Sequence, residues 1–268
     1  MRYLIVLLII FITTSSFAAT FKGKFIQGSF IIGKTEPGTK VIVDKKKVKV
    51  TGDGFFVFGL GRDRNYDVVI TLNQNGEEKK IVKKVKKREY RIQKIDGLEK
   101  NKVTPPAEFY ERIKKENKLI SEARNINSDL IFFKNQFMVP VANYIISGVY
   151  GSQRILNGKP KWPHYGLDFA ADTGTEVVAM LSGTAILVQE DLFYTGGTLI
   201  FDHGHGISTL YMHMDKIFVK GGQKVKQGDV IGTVGATGRA TGPHLDVRLN
   251  WFEERLDPAT VLNIKIND

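Results

Sequence analysis

Short apolar runs separated by turn-forming residues fill residues 19–100. Four of these runs are rich in β-branched and aromatic residues; they lie at residues 30–32, 41–43, 55–58 and 68–70. Runs of this length and composition are typical of β-strands. The dipeptide Asn75-Gly76 follows the last of them and predicts a tight hairpin turn. The pattern therefore predicts a small β-sandwich-like module over residues 19–100.

The spacing of apolar residues becomes helical at residues 108–125. Phe109, Ile113, Ile120 and Ala123 fall on one stripe of a segment that is otherwise strongly charged. Apolar residues three and four positions apart predict an amphipathic helix. We expect a helical connector over residues 101–130 that packs on one of the neighbouring domains.

From residue 131 onward the chain returns to strand-like runs and is rich in glycine. Five glycines fall between Gly221 and Gly235, around short runs of Val and Ile. This spacing is typical of tight β-hairpins. We expect residues 131–268 to form a Gly-rich antiparallel β-sheet domain, so the fold as a whole should be mainly β.

Two stretches of this second half alternate strictly between polar and apolar residues. Side chains of a strand point to opposite faces in turn. In residues 207–214 one face carries Thr209, Tyr211 and His213, and we expect the apolar face of Leu210, Met212 and Met214 to be buried. In residues 244–251 the polar face carries His244, Asp246, Arg248 and Asn250.

The N-terminal residues 1–18 have the pattern of a signal peptide. Arg2 provides the positive start, residues 4–12 are nine consecutive apolar residues, and Ala18 is a small residue at the expected cleavage position. Nine apolar residues are too few to cross a bilayer. We expect export to the periplasm or cell envelope without a transmembrane segment after cleavage. An uncleaved membrane tether is the alternative.

Composition narrows the chemistry and the partners. The chain has no cysteine, which excludes thiolate catalysis and thiolate zinc sites. Its 39 Lys and Arg against 28 Asp and Glu give a formal net charge of +11, which favours polyanionic partners. For an exported protein we expect cell-wall and other anionic envelope polymers, and no nucleic acid. The basic residues 79–91 fit either a solvated edge strand, which we favour, or a docking face for such a polymer.

The segment HYGLD places His164 and Asp168 four residues apart. Imidazole and carboxylate are both zinc ligands. In an extended chain the two residues would lie roughly 13 Å apart, so sharing one ion requires a bend, which Gly166 permits. The alternative is a loop histidine followed by an aspartate that makes a turn hydrogen bond.

Two further segments, YMH at 211–213 and GPHLD at 242–246, follow HYGLD along the chain. In this order the three segments resemble the motifs of the lysostaphin-type zinc metalloendopeptidases, which cut peptide bonds in bacterial cell wall. The flanking residues 146–152 and 225–235 also resemble the family. The resemblance covers residues 143–258, under half of the chain.

The resemblance implies a role for each matching residue. His164 and Asp168 correspond to two ligands of one Zn²⁺, and His213 and His244 to the catalytic histidines. Asp246 stands where the family has its third ligand, a histidine. A carboxylate is also acceptable to zinc, so we expect Asp246 to be the third ligand.

We therefore expect an exported zinc metalloendopeptidase that hydrolyses peptide bonds in peptidoglycan. One alternative is an inactive wall-binding protein, or an activator of other wall hydrolases, with the same fold. Another is an exported peptidase that acts on protein. Tyr211 and Arg239 are candidate substrate contacts, whereas His203 and His205 lie in the Gly-rich segment DHGHG and are expected to be turn or surface residues.

Overall fold

Two small antiparallel sheets account for the N-terminal pattern. The computed structural model describes residues 18–95 and 106–262, so the predicted signal peptide lies outside it except for Ala18. One sheet has the strand order β1-β2-β5 and the other the order β4-β3-β6-β7. The strands are β1 (Thr20–Lys22), β2 (Phe30–Lys34), β3 (Lys40–Val43), β4 (Lys46–Val48), β5 (Phe55–Gly59), β6 (Val68–Gln74) and β7 (Glu77–Lys83).

Both sheets bury the predicted apolar runs. Ile31, Phe56 and Phe58 of the first sheet and Ile70 and Leu72 of the second are fully buried in one cluster. Strands β6 and β7 pair through Gln74 and Glu77 around the predicted Asn75-Gly76 turn, which is confirmed. Within the part of the chain that the structure describes, β7 is an edge strand, as its lysines suggested.

The predicted helix is α1 (Tyr110–Arg124), and a short 3₁₀ turn, Ala107–Phe109, precedes it. Its stripe faces the C-terminal half, because Ile120 and Ala123 pack against a cluster that contains Leu210 and Met212. Strand β8 (Ile92–Ile95) comes before the helix and runs parallel to β10 (Gln153–Leu156). A second 3₁₀ turn, Phe132–Lys134, follows the helix.

The C-terminal half is built on one eight-stranded sheet with the order β18-β14-β15-β16-β20-β12-β9, to which β21 adds beside β20. Smaller sheets are formed by β13-β19-β17 and by β11-β10-β8. The remaining elements are β9 (Ile145–Gly148), β11 (Lys159–Pro160), β12 (Leu167–Ala170), β13 (Glu176–Val178), β14 (Gly183–Leu192), β15 (Gly196–Gly204), β16 (Ile207–Met214), β17 (Lys216–Ile217), β18 (Lys224–Val225), β19 (Val230–Thr233), β20 (His244–Trp251), β21 (Glu254–Leu256) and α2 (Ala259–Leu262).

The centre of the large sheet fixes which residues share a face. Asp246 of β20 lies directly opposite Asp168 of β12 on one side and opposite Met212 of β16 on the other. Opposed residues of antiparallel strands project to the same side of the sheet. Met212 therefore shares the face of Asp246, under helix α1, and is buried there as expected. The alternation of polar and apolar residues divides a strand into two sets of side chains. It cannot tell which set lies on which face of the sheet when both faces are buried.

The mainly β fold class is confirmed. Among the described residues, no helix has both the length and the apolar character needed to cross a membrane. One continuous buried cluster joins the N-terminal module to the large sheet, with Phe30 packed against Phe137 at a ring distance of 6.1 Å. The site described next lies where β12 and β20 pair.

Candidate metal centre

His164 and Asp168 meet at the start of β12. His164 lies in the loop before the strand, and its Nε2 atom is 3.0 Å from Oδ1 of Asp168. The chain bends between them at Gly166. A Cβ atom at Gly166 would lie 1.9 Å from Oδ1 of Asp246, so a glycine is needed here to make room for that carboxylate.

Asp246 completes a group of three candidate ligands. Oδ2 of Asp246 is 3.4 Å from Nε2 of His164, and one ligand atom from each of His164, Asp168 and Asp246 lies within 4.8 Å of the others. The side chain of Asp246 is 4% exposed, whereas those of His164 and Asp168 are about one-fifth exposed, at 21% and 19%. The group is thus buried on the Asp246 side and open on the other.

The donor atoms fit a divalent cation. Nδ1–H of His164 donates to the carbonyl of Val149 at 3.2 Å, which leaves the lone pair of a neutral ring on Nε2, the atom that faces both carboxylates. Oδ1 of Asp168 is buried and has no hydrogen-bond partner among the described residues, despite its closeness to that ring. Two ligands of a tetrahedral zinc ion at its usual bond lengths lie about 3.3 Å apart, close to the 3.0 and 3.4 Å seen here.

Arg248 holds the buried carboxylate of Asp246. Its Nη2 donates to Oδ2 at 2.9 Å, and its Nε lies 3.3 Å from both oxygens. Burial raises the pKa of Asp246, but the charges of Arg248 and His164 lower it by more, so the carboxylate is ionised. Burial also lowers the pKa of His164, and Asp246 and Asp168 raise it to about 10. The field that attracts a proton to Nε2 also attracts a metal ion.

His213 reaches the same face by a break in strand alternation. Its backbone is left-handed, with φ of 64°, an uncommon conformation for a residue other than glycine. Tyr211, two residues earlier, opposes Val247 and points into the core. The left-handed residue turns the ring of His213 toward His244 instead, with ring centroids 4.7 Å apart.

Both histidines of this pair are oriented by backbone carbonyls. Nδ1–H of His213 donates to the carbonyl of Thr237, and Nδ1–H of His244 to that of Gly242, each at 2.8 Å. In this tautomer each Nε2 keeps a lone pair that can accept a proton. Burial lowers the pKa of His213, so its ring is neutral at pH 7 and is able to act as a base.

Of the two candidate substrate contacts, Tyr211 lies in the core and Arg239 on the surface. Tyr211 is fully buried, and its hydroxyl accepts a hydrogen bond from the amide of Met180 at 2.9 Å. This corrects the expectation that Tyr211 faces substrate, because the face it occupies is the main core. Arg239 is exposed in the loop that provides Thr237, and its guanidinium stacks over the ring of Tyr194 at 4.3 Å.

His203 and His205 are both buried, so the expectation of a surface position is wrong for them. His203 lies in β15, where Nδ1–H donates to the carbonyl of Ser182 at 2.8 Å and Nε2 is 2.7 Å from the hydroxyl of Thr209. His205 has the left-handed backbone of a turn residue, and its ring lies 4.8 Å from that of Phe133. Neither belongs to the group of candidate ligands.

Sequence reasoning assigned no role to Arg248 or to the carbonyls of Val149 and Thr237. The contact between Arg248 and Asp246 could have been predicted, because the two residues are two positions apart on the same face of a strand. The roles of the two carbonyls could not, since a backbone contact depends on the path of a loop and not on the side chain of the residue.

Residues 162–258 match the model of Peptidase family M23. They form an M23 peptidase domain. The predicted family resemblance is thus confirmed for this segment, which contains His164, Asp168, His213, His244 and Asp246.

Two curated relatives of the M23 domain come from Vibrio cholerae. The chain is 47% identical over 83 residues to the peptidoglycan DD-endopeptidase ShyB and 44% identical over 87 residues to the peptidoglycan DD-endopeptidase ShyA. These matches cover 31% and 32% of this chain but only 19% and 20% of the relatives. The chain thus matches about a fifth of the length of each relative.

A solved structure shares the fold beyond the M23 domain. A crystal structure from Pseudomonas aeruginosa that is assigned to peptidase M23 has 26% sequence identity and a TM-score of 0.69. The similarity covers 89% of this chain and 95% of the other. A similarity of this extent reaches beyond residues 162–258 into the N-terminal half of the chain.

Proposed function

We propose that this chain is a zinc-dependent endopeptidase that hydrolyses peptide bonds in peptidoglycan. The observation that carries the proposal is the meeting of His164 and Asp168, from one short segment, with the distant Asp246, all within 4.8 Å of one another. The M23 domain supports a peptidase, and the names of the curated relatives support peptidoglycan as the substrate.

His164, Asp168 and Asp246 would hold one zinc ion. When bound, zinc supplies Lewis-acid activation of water and of the scissile carbonyl. Gly166 leaves the space that the Asp246 carboxylate occupies, and Arg248 fixes that carboxylate by donating to both of its oxygens. The open side, next to His164 and Asp168, is where a substrate peptide would approach.

His213 and His244 would move the proton. A neutral His213 accepts a proton from the attacking water at Nε2, because its Nδ1–H is committed to Thr237. Once His213 has taken up this proton, its Nε2–H can donate to the leaving amine, and a His244 ring that carries a proton on both nitrogens can donate its Nε2–H to the developing oxyanion. The 4.7 Å between the ring centroids lets both act on one peptide bond.

The substrate is expected in the cell envelope. The predicted signal peptide and the net charge of +11 favour an exported protein that meets anionic wall polymers. Arg239, on the exposed loop beside His213, would bind a carboxylate of the substrate. Within the chain we assign residues 19–100 to the β module, 101–130 to the connector and 131–268 to the peptidase domain.

The test is a digestion of purified peptidoglycan and, in parallel, of an unfolded protein substrate by the purified chain. The proposal predicts one zinc per chain, release of peptide fragments identified by mass, and loss of both metal and activity with a chelator. A chain that binds no zinc and cleaves neither substrate would contradict the proposal and favour a wall-binding or activating protein. Cleavage of the protein substrate only would exclude peptidoglycan as the substrate.

Variants of Asp246 test the unusual third ligand. Asp246→Ala should abolish zinc binding and cleavage, whereas Asp246→His should keep both, since imidazole is also a zinc ligand. Asp172→Ala, at an exposed aspartate, is the matched control for loss of one carboxylate and should behave as wild type. Full zinc content in Asp246→Ala would exclude this residue as a ligand.

A further inference from the structure

Residues 149–152, called here the support segment, make hydrogen bonds to both the ring and the backbone of His164. The carbonyl of Val149 accepts the Nδ1–H of the ring at 3.2 Å. The amide of Gly151 donates to the carbonyl of His164 at 2.7 Å, and the amide of His164 donates to the carbonyl of Ser152 at 2.8 Å. Both the ring and the backbone of His164 therefore depend on where the support segment lies.

The N-terminal module contacts the support segment through hydrogen bonds from Arg62. Nε and Nη2 of Arg62 donate to the carbonyl of Gly151 at 3.0 and 2.7 Å, and the side chain of Arg62 is only 9% exposed. Its guanidinium also stacks over the ring of Tyr90 at 4.4 Å and pairs with Asp63. The amide of Gln153, just past the segment, donates to the carbonyl of Arg91 at 3.0 Å.

Gly151 contacts both the N-terminal module and His164. Its φ is +86°, and a Cβ atom there would lie 2.0 Å from the ring of Tyr90, so the backbone is pressed against the module. Its carbonyl accepts from Arg62 while its amide donates to His164. Hydrogen bonds from a charged donor are about twice as strong as neutral ones, and the planar fork of arginine fixes direction as well as distance.

We propose that Arg62 is a positioning residue for His164: the N-terminal module acts through Gly151 to orient a ligand of the metal centre. The inference rests on the proposed function only in taking His164 as a metal ligand. It gives the module a part in the site, and it is carried by the continuous path from Arg62 through Gly151 to His164.

The test compares Arg62→Met and Arg62→Lys with Lys49→Met in the full chain. Lys49 also links the module to the rest of the chain, through the carbonyl of Asn127 and the carboxylate of Asp129, each at 2.6 Å. It has no contact with the support segment among those described. Zinc affinity is measured by competition with a chromophoric chelator, and amide hydrogen exchange of Gly151 and His164 by NMR on metal-free protein.

We expect Arg62→Met to weaken zinc binding about tenfold, at the lower end of the effect of outer-shell partners, and to speed exchange at both amides. Arg62→Lys should fall between Met and wild type, and Lys49→Met should change neither readout. Wild-type affinity and exchange in Arg62→Met, or equal changes in Lys49→Met, would overturn the inference. If Arg62→Met does not fold, the zinc affinity and amide exchange of Arg62→Lys are compared with wild type instead. If wild type binds no zinc, the proposed function fails, and the amide exchange of Gly151 and His164 still tests whether Arg62 positions His164.

Discussion

At the scale of single residues, the backbone of His213 is the least expected feature. A residue other than glycine in the left-handed region costs on the order of 1 kcal/mol and persists only where its surroundings hold it. Here the amide of His213 donates to Thr195 and the ring to Thr237, both at 2.8 Å. Two bonds thus stabilise the conformation that turns the ring toward His244.

Substitutions at His213 should separate conformation from chemistry. Asparagine tolerates left-handed backbone, so His213→Asn should fold as wild type but lose about 10²- to 10⁴-fold in peptidoglycan cleavage, the usual contribution of a general base. His213→Val should in addition lower the free energy of unfolding by about 1–3 kcal/mol. Denaturant unfolding and fragment release measure the two effects. Undiminished cleavage by His213→Asn would remove this residue from the mechanism.

The same residue shows where residue-level prediction from sequence stops. Strict alternation assigned Tyr211 and His213 to one face, and a regular strand would have kept them there. Tyr211 follows the regular strand into the core, and the left-handed backbone of His213 turns only its own ring to the site. Its identity as histidine could be matched to a family motif, but its dihedral angles depend on bonds to Thr195 and Thr237 from other segments.

At the scale of elements, the pairing of β12 with β20 creates the site. The register places Asp168 opposite Asp246, and the apolar alternates Leu167, Leu245 and Val247 are fully buried behind them. A shift of one residue would turn these apolar side chains outward and the carboxylates into the core. The burial of the apolar face therefore also fixes the distance between the two carboxylates that we propose as ligands.

Gly166 tests how closely this arrangement is packed. A methyl group at this position would meet Oδ1 of Asp246 at 1.9 Å, so Gly166→Ala should displace the carboxylate and weaken zinc binding by more than about tenfold. Gly221→Ala is the control, because a Cβ atom there meets nothing within 4 Å. Isothermal titration with zinc measures both variants. Equal affinity in Gly166→Ala and wild type would show that Asp246 does not depend on this space.

The sequence predicts elements better than it predicts their partners. The polar face of β20, with His244 and Asp246, and the helix near 108–125 follow from local periodicity, and both are present. The pairing of β12 with β20 joins residues 78 positions apart at Asp168 and Asp246. No local pattern fixes such a register, and only the family resemblance suggested that these segments meet.

At the scale of the whole molecule, the N-terminal module and the M23 domain share one core and several polar links. Arg88 of the module, for example, pairs with the buried Asp257 at 2.7 Å. Composition and turn signals predicted two regions of β structure, but not this interface. Its contacts come from side chains such as Arg62 and Arg88, which in sequence look like ordinary solvated charges.

The stability of the fold should depend on pH through His203. Burial lowers the pKa of its ring to about 4, below the ordinary value near 6.5. Above pH 6.5 the ring is neutral in both states. As the pH falls from 6.5 to 4, only the unfolded chain takes up the proton, so the free energy of unfolding decreases by up to ~3 kcal/mol.

Denaturant unfolding between pH 7 and pH 4 measures this dependence. His203→Asn removes the titrating group, so the difference between wild type and variant isolates it from the carboxylates. We expect wild type to lose more stability than the variant across this interval. If the free energy of unfolding falls equally with pH in wild type and His203→Asn, the buried ring of His203 does not cause the loss of stability in acid.

The central claim is that two distant segments, residues 164–168 and the strand that carries Asp246, bind one metal ion. Diffraction with anomalous scattering at the zinc absorption edge tests it most directly. We predict a single strong peak within about 2.0–2.2 Å of Nε2 of His164 and of one carboxylate oxygen each from Asp168 and Asp246. No peak at this position in zinc-loaded crystals, or a peak that Asp246 does not contact, would contradict the account.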